Sequence, residues 1–171
     1  MVSTRRTERP VQPLSLKQFS TLQEILTLNY GTSFTDTEYT QFLMHQKEHK
    51  VFLLSKELAQ YPINLIRVNS QGLYIGEFNE TFSAFRLSIE GSQLIGQNAT
   101  QHIFELTHTQ LSQWAKGERL KLEGQEFADH TYVIVSYKGD FYGVGVAKNG
   151  ELHNFVPKTR RLKTLATAQT E

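Results

Sequence analysis

The sequence predicts an α+β fold: a small N-terminal α/β unit followed by a C-terminal barrel-like unit. Two observations predict it. Apolar segments with capping-box spacing and helical period begin the chain, and antiparallel strand segments joined by tight turns end it. A chain of 171 residues, 39% of them hydrophobic, is long enough to bury a core in one large domain or two small ones.

Composition and charge exclude several protein classes. The chain has no cysteine, which excludes disulfides, iron–sulfur clusters and cysteine nucleophiles. It has no apolar run of about 18 residues and no secretory signal, so we expect a cytoplasmic protein, nucleolar in a eukaryote, without membrane association. Residues 1–20 and 138–171 each carry a net charge of +3, and residues 21–137 carry −5. Basic ends are typical of a polyanion partner, although they also aid solubility.

The N-terminal unit is predicted to follow a disordered basic arm over residues 1–13 and to cover residues 14–100. Its first helix begins at Ser15, which has capping-box spacing to Gln18, and ends at Gly31. A second helix is predicted from Thr35 through residue 49. The remaining predicted elements are strands over 50–54, 63–68 and 73–78, a turn over 69–72, and a strand over 82–89 that runs into a helical turn.

The C-terminal unit is predicted over residues 101–165, before a flexible tail over 166–171. A strand over 103–106 precedes a helix capped by Thr107 and ended by Gly117. Further strands are predicted over 120–122, 131–137, 141–147 and 152–156. Asn149-Gly150 is a typical type I′ hairpin turn. These antiparallel strands with one short helix indicate a small barrel.

The segment after the last strand concentrates four cations in six residues: Lys158, Arg160, Arg161 and Lys163. Pro157 ends the strand, so these side chains are expected to leave the barrel on a semi-rigid loop that could contact phosphates. Four aromatic side chains in the preceding hairpins could stack on unpaired bases: Tyr137, Tyr142, His153 and Phe155. The alternative is a solvated strand end with ordinary core aromatics.

Three other patterns are weaker. Gly143-Val144-Gly145 lies within a strand, which favours close approach of another backbone, more often the protein's own, over a phosphate loop. His45 and His49 are expected on one helix face, but zinc normally needs a third ligand. An acidic stretch could hold paired carboxylates for hydrolysis, although a solvated loop is the more common outcome. Its members are Glu118, Glu123, Glu126 and Asp129.

Several motifs resemble a known RNA-binding module. The segments around 103–107, 111–118, 132–137 and 143–145 resemble a PUA domain, and the ending from Leu152 to Arg161 resembles the C-terminal region of Fmu-type and Nop/Sun-like RNA cytosine-5 methyltransferases. Segments between 67 and 88 resemble the pre-PUA region of these enzymes and of Nip-type ribosome assembly factors. The resemblance implies a pre-PUA α/β domain followed by a PUA pseudo-β-barrel.

The resemblance also implies an RNA groove between the short helix and the last strands. The residues mapped to it are Lys116, Gly117, Lys148, His153, Asn154, Lys158, Arg160, Arg161 and Lys163. The methyltransferases use a cysteine thiolate and a domain that binds S-adenosylmethionine. This chain has no cysteine and no glycine-rich loop after a first strand, so we expect neither catalysis nor a cofactor.

The sequence therefore predicts a non-catalytic RNA-binding protein of ribosome biogenesis or RNA modification. The expected partner is rRNA or tRNA, with a separate RNA-modifying enzyme or pre-ribosomal proteins as further partners. Asn154 and aromatic stacking are expected to give selectivity, and the basic segments to give affinity. Two alternatives stay open: a protein-interaction subunit that uses residues 14–60, and a hydrolase that uses the acidic loop.

Overall fold

The structure, a computed structural model, describes residues 11–35, 40–60 and 72–163. They form two five-stranded sheets and four helices. The strands are β1 (Val11–Pro13), β2 (Thr40–His45), β3 (Lys50–Ser55), β4 (Leu73–Phe78), β5 (Phe85–Leu87), β6 (Ile103–Glu105), β7 (Leu120–Lys121), β8 (Tyr132–Tyr137), β9 (Asp140–Lys148) and β10 (Glu151–Asn154). The helices are α1 (Leu16–Tyr30), α2 (Lys56–Ala59), α3 (Ile89–Gly96) and α4 (His108–Ala115), followed by a 3-10 helix (Lys158–Arg160). This arrangement confirms the predicted α+β class.

The first sheet has the order β1-β2-β3-β4-β5, with every neighbouring pair antiparallel. Helix α1 packs on it and begins with the predicted capping box at Ser15, whose hydroxyl accepts from the Gln18 amide. It ends at Gly31, whose φ of 72° lies in the left-handed region that glycine adopts without strain. Leu22 and Leu26 of α1 are fully buried in this core.

Two elements of the first unit differ from the prediction. Val11–Pro13 pair with β2 and are therefore a strand, not the end of a disordered arm. The predicted second helix is wrong from residue 40 onward, because Thr40–His45 form a strand between β1 and β3. Phe42, Leu43 and Met44 are all buried there. A continuous apolar run of this length does not distinguish a central strand from a buried helix. Other predictions lie outside the described residues: those for residues 1–10, 36–39, 63–71 and 166–171.

The second sheet has the order β6-β8-β9-β10-β7 and forms a curled half-barrel. Strand β6 runs parallel to β8, and the other neighbours are antiparallel. Helix α4 has the predicted capping box at Thr107, although its C-cap is Lys116, one residue before Gly117. Asn149 and Gly150 both have positive φ, as a type I′ turn requires. Trp114 of α4 is 1% exposed and anchors the core of this unit.

The two units share a continuous interface. Strand β8 is buried on both faces: Ile134 joins the core of the first unit, while Val133 and Val135 join the core of the second. Helix α3 packs on β9, and the buried Ser92 hydroxyl accepts from the Gly143 amide at 3.0 Å. The close approach at Gly143 is therefore made by the protein itself, which is the more common outcome for a glycine within a strand.

The helices of the described residues are short or amphipathic, and none has the length and apolar character needed to cross a bilayer.

Candidate nucleic-acid interface

The basic segment after β10 is held against the end of α4. It passes through Pro157, turns in the 3-10 helix and returns to α4, where the Leu162 amide donates to the Ala115 carbonyl at 2.9 Å. The segment is thus clamped at a defined position, as the semi-rigid loop in the prediction requires. We call residues 157–163 the closing segment. This clamp, formed by the end of α4 and the closing segment, brings Lys116 and Gly117 beside the closing segment, because both residues directly follow the same helix end.

Gly117 and Arg161 are in direct contact just after the end of α4. A Cβ atom placed on Gly117 would lie 2.3 Å from Arg161 Nε, and Gly117 has a φ of 84°. Only glycine combines that backbone conformation with so close a side chain. Arg161 Nε also donates to the Val156 carbonyl at 3.0 Å, so the half-buried Arg161 side chain fixes the turn from inside. Its other guanidinium N–H groups are left to contact an anion.

Three lysines of the predicted site are exposed around this clamp: Lys116, Lys158 and Lys163. None of them pairs with a carboxylate of the described residues. Flexible ammonium groups on a fixed backbone suit phosphate contacts, because each is a point charge without a directional requirement. These lysines therefore form the cationic part of the site that is free to meet a polyanion.

Arg160 is not free, contrary to the expectation for the closing segment. Its guanidinium forms an ion pair with Glu90 at the start of α3, in the first unit. Burial raises the pKa of the Glu90 carboxyl, but a backbone hydrogen bond and Arg160 outweigh this effect and lower the pKa overall. The carboxylate is therefore charged at neutral pH. Arg160 therefore links the two units as long as no other anion takes the place of Glu90.

Asn154 has a structural role in place of the predicted base contact. Its Nδ2 donates to the carbonyls of Trp114 and Glu118, and its Oδ1 accepts from the Val156 amide. Both amide protons are used within the protein, so the side chain ties the end of β10 to the end of α4.

Lys148 and His153 lie apart from the exposed lysines of the clamp. Lys148 pairs with Glu151 in the ladder, whereas Asn154 pairs with Gly145. Lys148 is thus three strand positions from the clamp, about 10 Å along the hairpin. The His153 ring is 4.0 Å from the Glu151 carboxylate and is partly buried. The structure does not join Lys148 to the closing segment as one patch.

One aromatic residue and one cation form a feature that the sequence analysis missed. The Arg86 guanidinium carbon lies 4.4 Å from the centroid of the Phe155 ring. Arg86 also pairs with Glu77, its cross-strand partner in β4. The β4–β5 pairing could have suggested the Glu77 pair. The contact with Phe155 joins residues 69 positions apart and has no local sequence signal.

The other candidate chemistries are not assembled. His45 ends β2 and His49 lies in the turn after it, so the two do not share a helix face. All four residues of the acidic stretch are exposed. In the described part of the chain, no three histidine, aspartate or glutamate side chains are placed to hold a metal ion. Tyr137 and Tyr142 pack against the second core.

A curled half-barrel with a parallel first strand, one capped helix and a clamped basic ending defines a PUA pseudo-barrel. Comparison with family models gives the same result: residues 101–162 match the Methyltransferase RsmF PUA domain. The chain therefore contains a PUA domain of this type, and the predicted resemblance is confirmed. No curated protein matches the chain. The family match begins at residue 101, so the pre-PUA assignment of residues 14–100 stays a prediction.

The presence of this domain points to RNA binding in general terms. The cationic clamp is the part of the domain whose chemistry suits an RNA backbone.

Proposed function

We propose that this protein is a non-catalytic RNA-binding protein of ribosome biogenesis or of rRNA or tRNA modification. It grips structured RNA with the clamp formed by the end of α4 and the closing segment. The observation that carries the proposal is the position of the three exposed lysines on a backbone fixed by Asn154 and Arg161. Lysines at such a site supply affinity through phosphates, and the release of counterions makes that affinity dependent on salt.

The proposal has no catalytic step because the chain lacks the nucleophile used by the methyltransferases that it resembles. No cysteine occurs anywhere in the sequence, and a thiolate is needed for covalent attack on the cytosine ring in that mechanism. A chain that holds RNA without modifying it would act as an assembly factor or would present RNA to a separate enzyme. We place this activity in the cytoplasm, or in the nucleolus of a eukaryotic cell.

The test is the affinity of the full chain for a labelled stem-loop RNA with a single-stranded 3′ end, measured by fluorescence anisotropy over a range of salt. The double variant Lys158→Ala/Lys163→Ala should bind about tenfold more weakly at low salt, and its salt slope should fall by about 1 for each lysine. The matched control is Lys47→Ala/Lys56→Ala, which removes two exposed lysines from the first unit. Equal losses in both double variants would contradict a specific role for the clamp.

A protein-interaction subunit is the second candidate, because helix α1 exposes two large apolar side chains. Leu16 is 91% exposed and Leu28 is 79% exposed. Exposed leucines on one helix are compatible with a partner protein, such as a separate RNA-modifying enzyme or a pre-ribosomal protein. A partner that stays bound after nuclease treatment and is lost in Leu28→Ser would support this candidate.

A further inference from the structure

A cleft of about 620 Å³ opens where the first unit meets the closing segment. Tyr74, Glu77 and Arg86 line it from β4 and β5. Phe155 and Arg160 line it from the second unit. The volume lies within the range of about 300–1,000 Å³ that is typical of small-molecule sites, and junctions between domains are common places for them. Because the closing segment forms one wall, RNA bound at the clamp would pass the mouth of this cleft.

The Arg86–Phe155 pair is a preformed stacking surface in the cleft. The guanidinium lies over the ring at 4.4 Å, and the ion pair with Glu77 holds it in place. Phe155 is 37% exposed and the Arg86 side chain is 29% exposed, so both present surface to a ligand. Unpaired RNA bases stack on aromatic rings and on arginine planes, because every base has a flat π face.

The polar end of the cleft is rich in hydrogen-bond acceptors. The Tyr74 hydroxyl donates to Glu77 Oε2 at 3.0 Å, and Arg86 donates to Glu77 Oε1. Burial, together with the Glu77 charge, raises the pKa of Tyr74, so the hydroxyl keeps its proton. Each carboxylate oxygen can accept a second hydrogen bond. Glu77 can therefore accept from an exocyclic amino group, which cytosine has and uracil lacks.

Two further cations line the cleft, each paired with a carboxylate that the phosphate of the same nucleotide would replace. Arg160 lies at the rim and is held by Glu90, and Lys50 lies on the opposite wall and pairs with Glu48 at 2.9 Å. An RNA backbone phosphate carries one negative charge and two unbridged oxygens, as a carboxylate does, so it can compete with Glu90 for the partly exposed Arg160.

We propose that the cleft receives one unpaired nucleotide of the bound RNA, with its base stacked on the Arg86–Phe155 pair and its amino edge on Glu77. This inference rests on the proposed function, because RNA held by the clamp delivers the nucleotide. It adds a second contact site, at the junction of the two units, and a preference for a base with an amino group. Binding of the nucleotide would thus join both units to one RNA.

The test uses isotope-labelled full chain and nuclear magnetic resonance, with cytidine 5′-monophosphate and uridine 5′-monophosphate as probes. Cytidine monophosphate should shift the backbone amides of Phe155, Ser88 and Gly143, which line or adjoin the cleft. Uridine monophosphate should bind at least about fivefold more weakly, because uracil has a carbonyl oxygen, which repels the Glu77 carboxylate, where cytosine has its amino group.

Two variants separate stacking from folding. Arg86→Lys keeps the charge but loses the planar group, and it should weaken cytidine monophosphate binding by about fivefold or more. The matched control is Arg119→Lys, because Arg119 is exposed, lies outside the cleft and pairs weakly with Glu151. Glu77→Gln places an amide at the polar end, so it should shift the preference from cytidine toward uridine. This change of preference is a readout that a loss of folding cannot produce.

The outcomes distinguish this inference from the proposed function. If the stem-loop RNA binds through the clamp but cytidine monophosphate shifts no amide around the cleft, the inference is overturned and RNA binding stands. Equal binding of both nucleotides to the wild type, or an unchanged preference in Glu77→Gln, also overturns it. If the wild type binds no RNA, the proposed function fails, and the inference fails with it.

Discussion

Replacing Asn154 by alanine should destabilise the fold because this side chain joins three backbone groups. Its amide contacts the Trp114 carbonyl at 2.8 Å, the Glu118 carbonyl at 3.2 Å and the Val156 amide at 2.6 Å. The hydrogen bond to the Glu118 carbonyl is exposed, so in the variant water hydrogen-bonds to that carbonyl in place of Asn154. The other two groups are partly buried and would lose their partner. At about 1 kcal/mol for each bond, with a further cost for the groups left unpaired, the expected loss is about 2–3 kcal/mol.

The assay is urea unfolding, with the free energy of unfolding extrapolated to water. The control is Asn98→Ala, because Asn98 is exposed and its side chain makes no hydrogen bond to the described residues. Unfolding should be unchanged in the control. If Asn154→Ala keeps the wild-type stability but loses RNA affinity, Asn154 reads a base, and the structural role argued above is wrong.

Two further substitutions test an ion pair between the units and the packing of α3 within the first unit. Glu90→Gln frees Arg160, so RNA should bind about two- to threefold more tightly at low salt, with the difference lost at high salt. Because the pKa of Glu90 is lowered in the fold, its charge stabilises the protein at pH values above the ordinary carboxyl pKa. This contribution is below about 1 kcal/mol for a partly exposed pair, and it is lost as the pH falls through the lowered pKa. A stability difference between wild type and Glu90→Gln that persists in acid would contradict this. Gly91→Ala places a Cβ 2.0 Å from the Ile75 carbonyl oxygen and should lower the free energy of unfolding by about 3 kcal/mol, measured by thermal or urea unfolding. The control is Gly124→Ala, whose Cβ meets no atom within 4 Å and which should lower that free energy by less.

Local sequence signals predicted the elements whose ends carry a capping box or a tight turn. Both capping boxes, at Ser15 and Thr107, are present in the structure, and the Asn149-Gly150 turn has the predicted positive φ values. Caps and tight turns depend on neighbouring residues, so a short stretch of sequence is sufficient to find them. Strand β2 was missed because its pairing with β1 and β3 on either side is a tertiary contact, which no local pattern reports.

The candidate site was predictable in position but not in its internal pairing. The cluster of cations after Pro157 is visible in the sequence, and so is its resemblance to the PUA ending. The pairing of Arg160 with Glu90 and the contact of Arg86 with Phe155 both cross from one unit to the other. Such contacts depend on how α3 packs against β9, which is a tertiary property. The sequence alone therefore overestimated how many cations of the closing segment are unpaired.

The most direct test of the account is protection of lysines from acetylation by bound RNA, measured by mass spectrometry on the full chain. The stem-loop RNA should protect Lys116, Lys158 and Lys163, while Lys47 and Lys56 stay reactive. Protection that is equal at all five lysines, or confined to Lys47 and Lys56, would contradict RNA binding at the clamp.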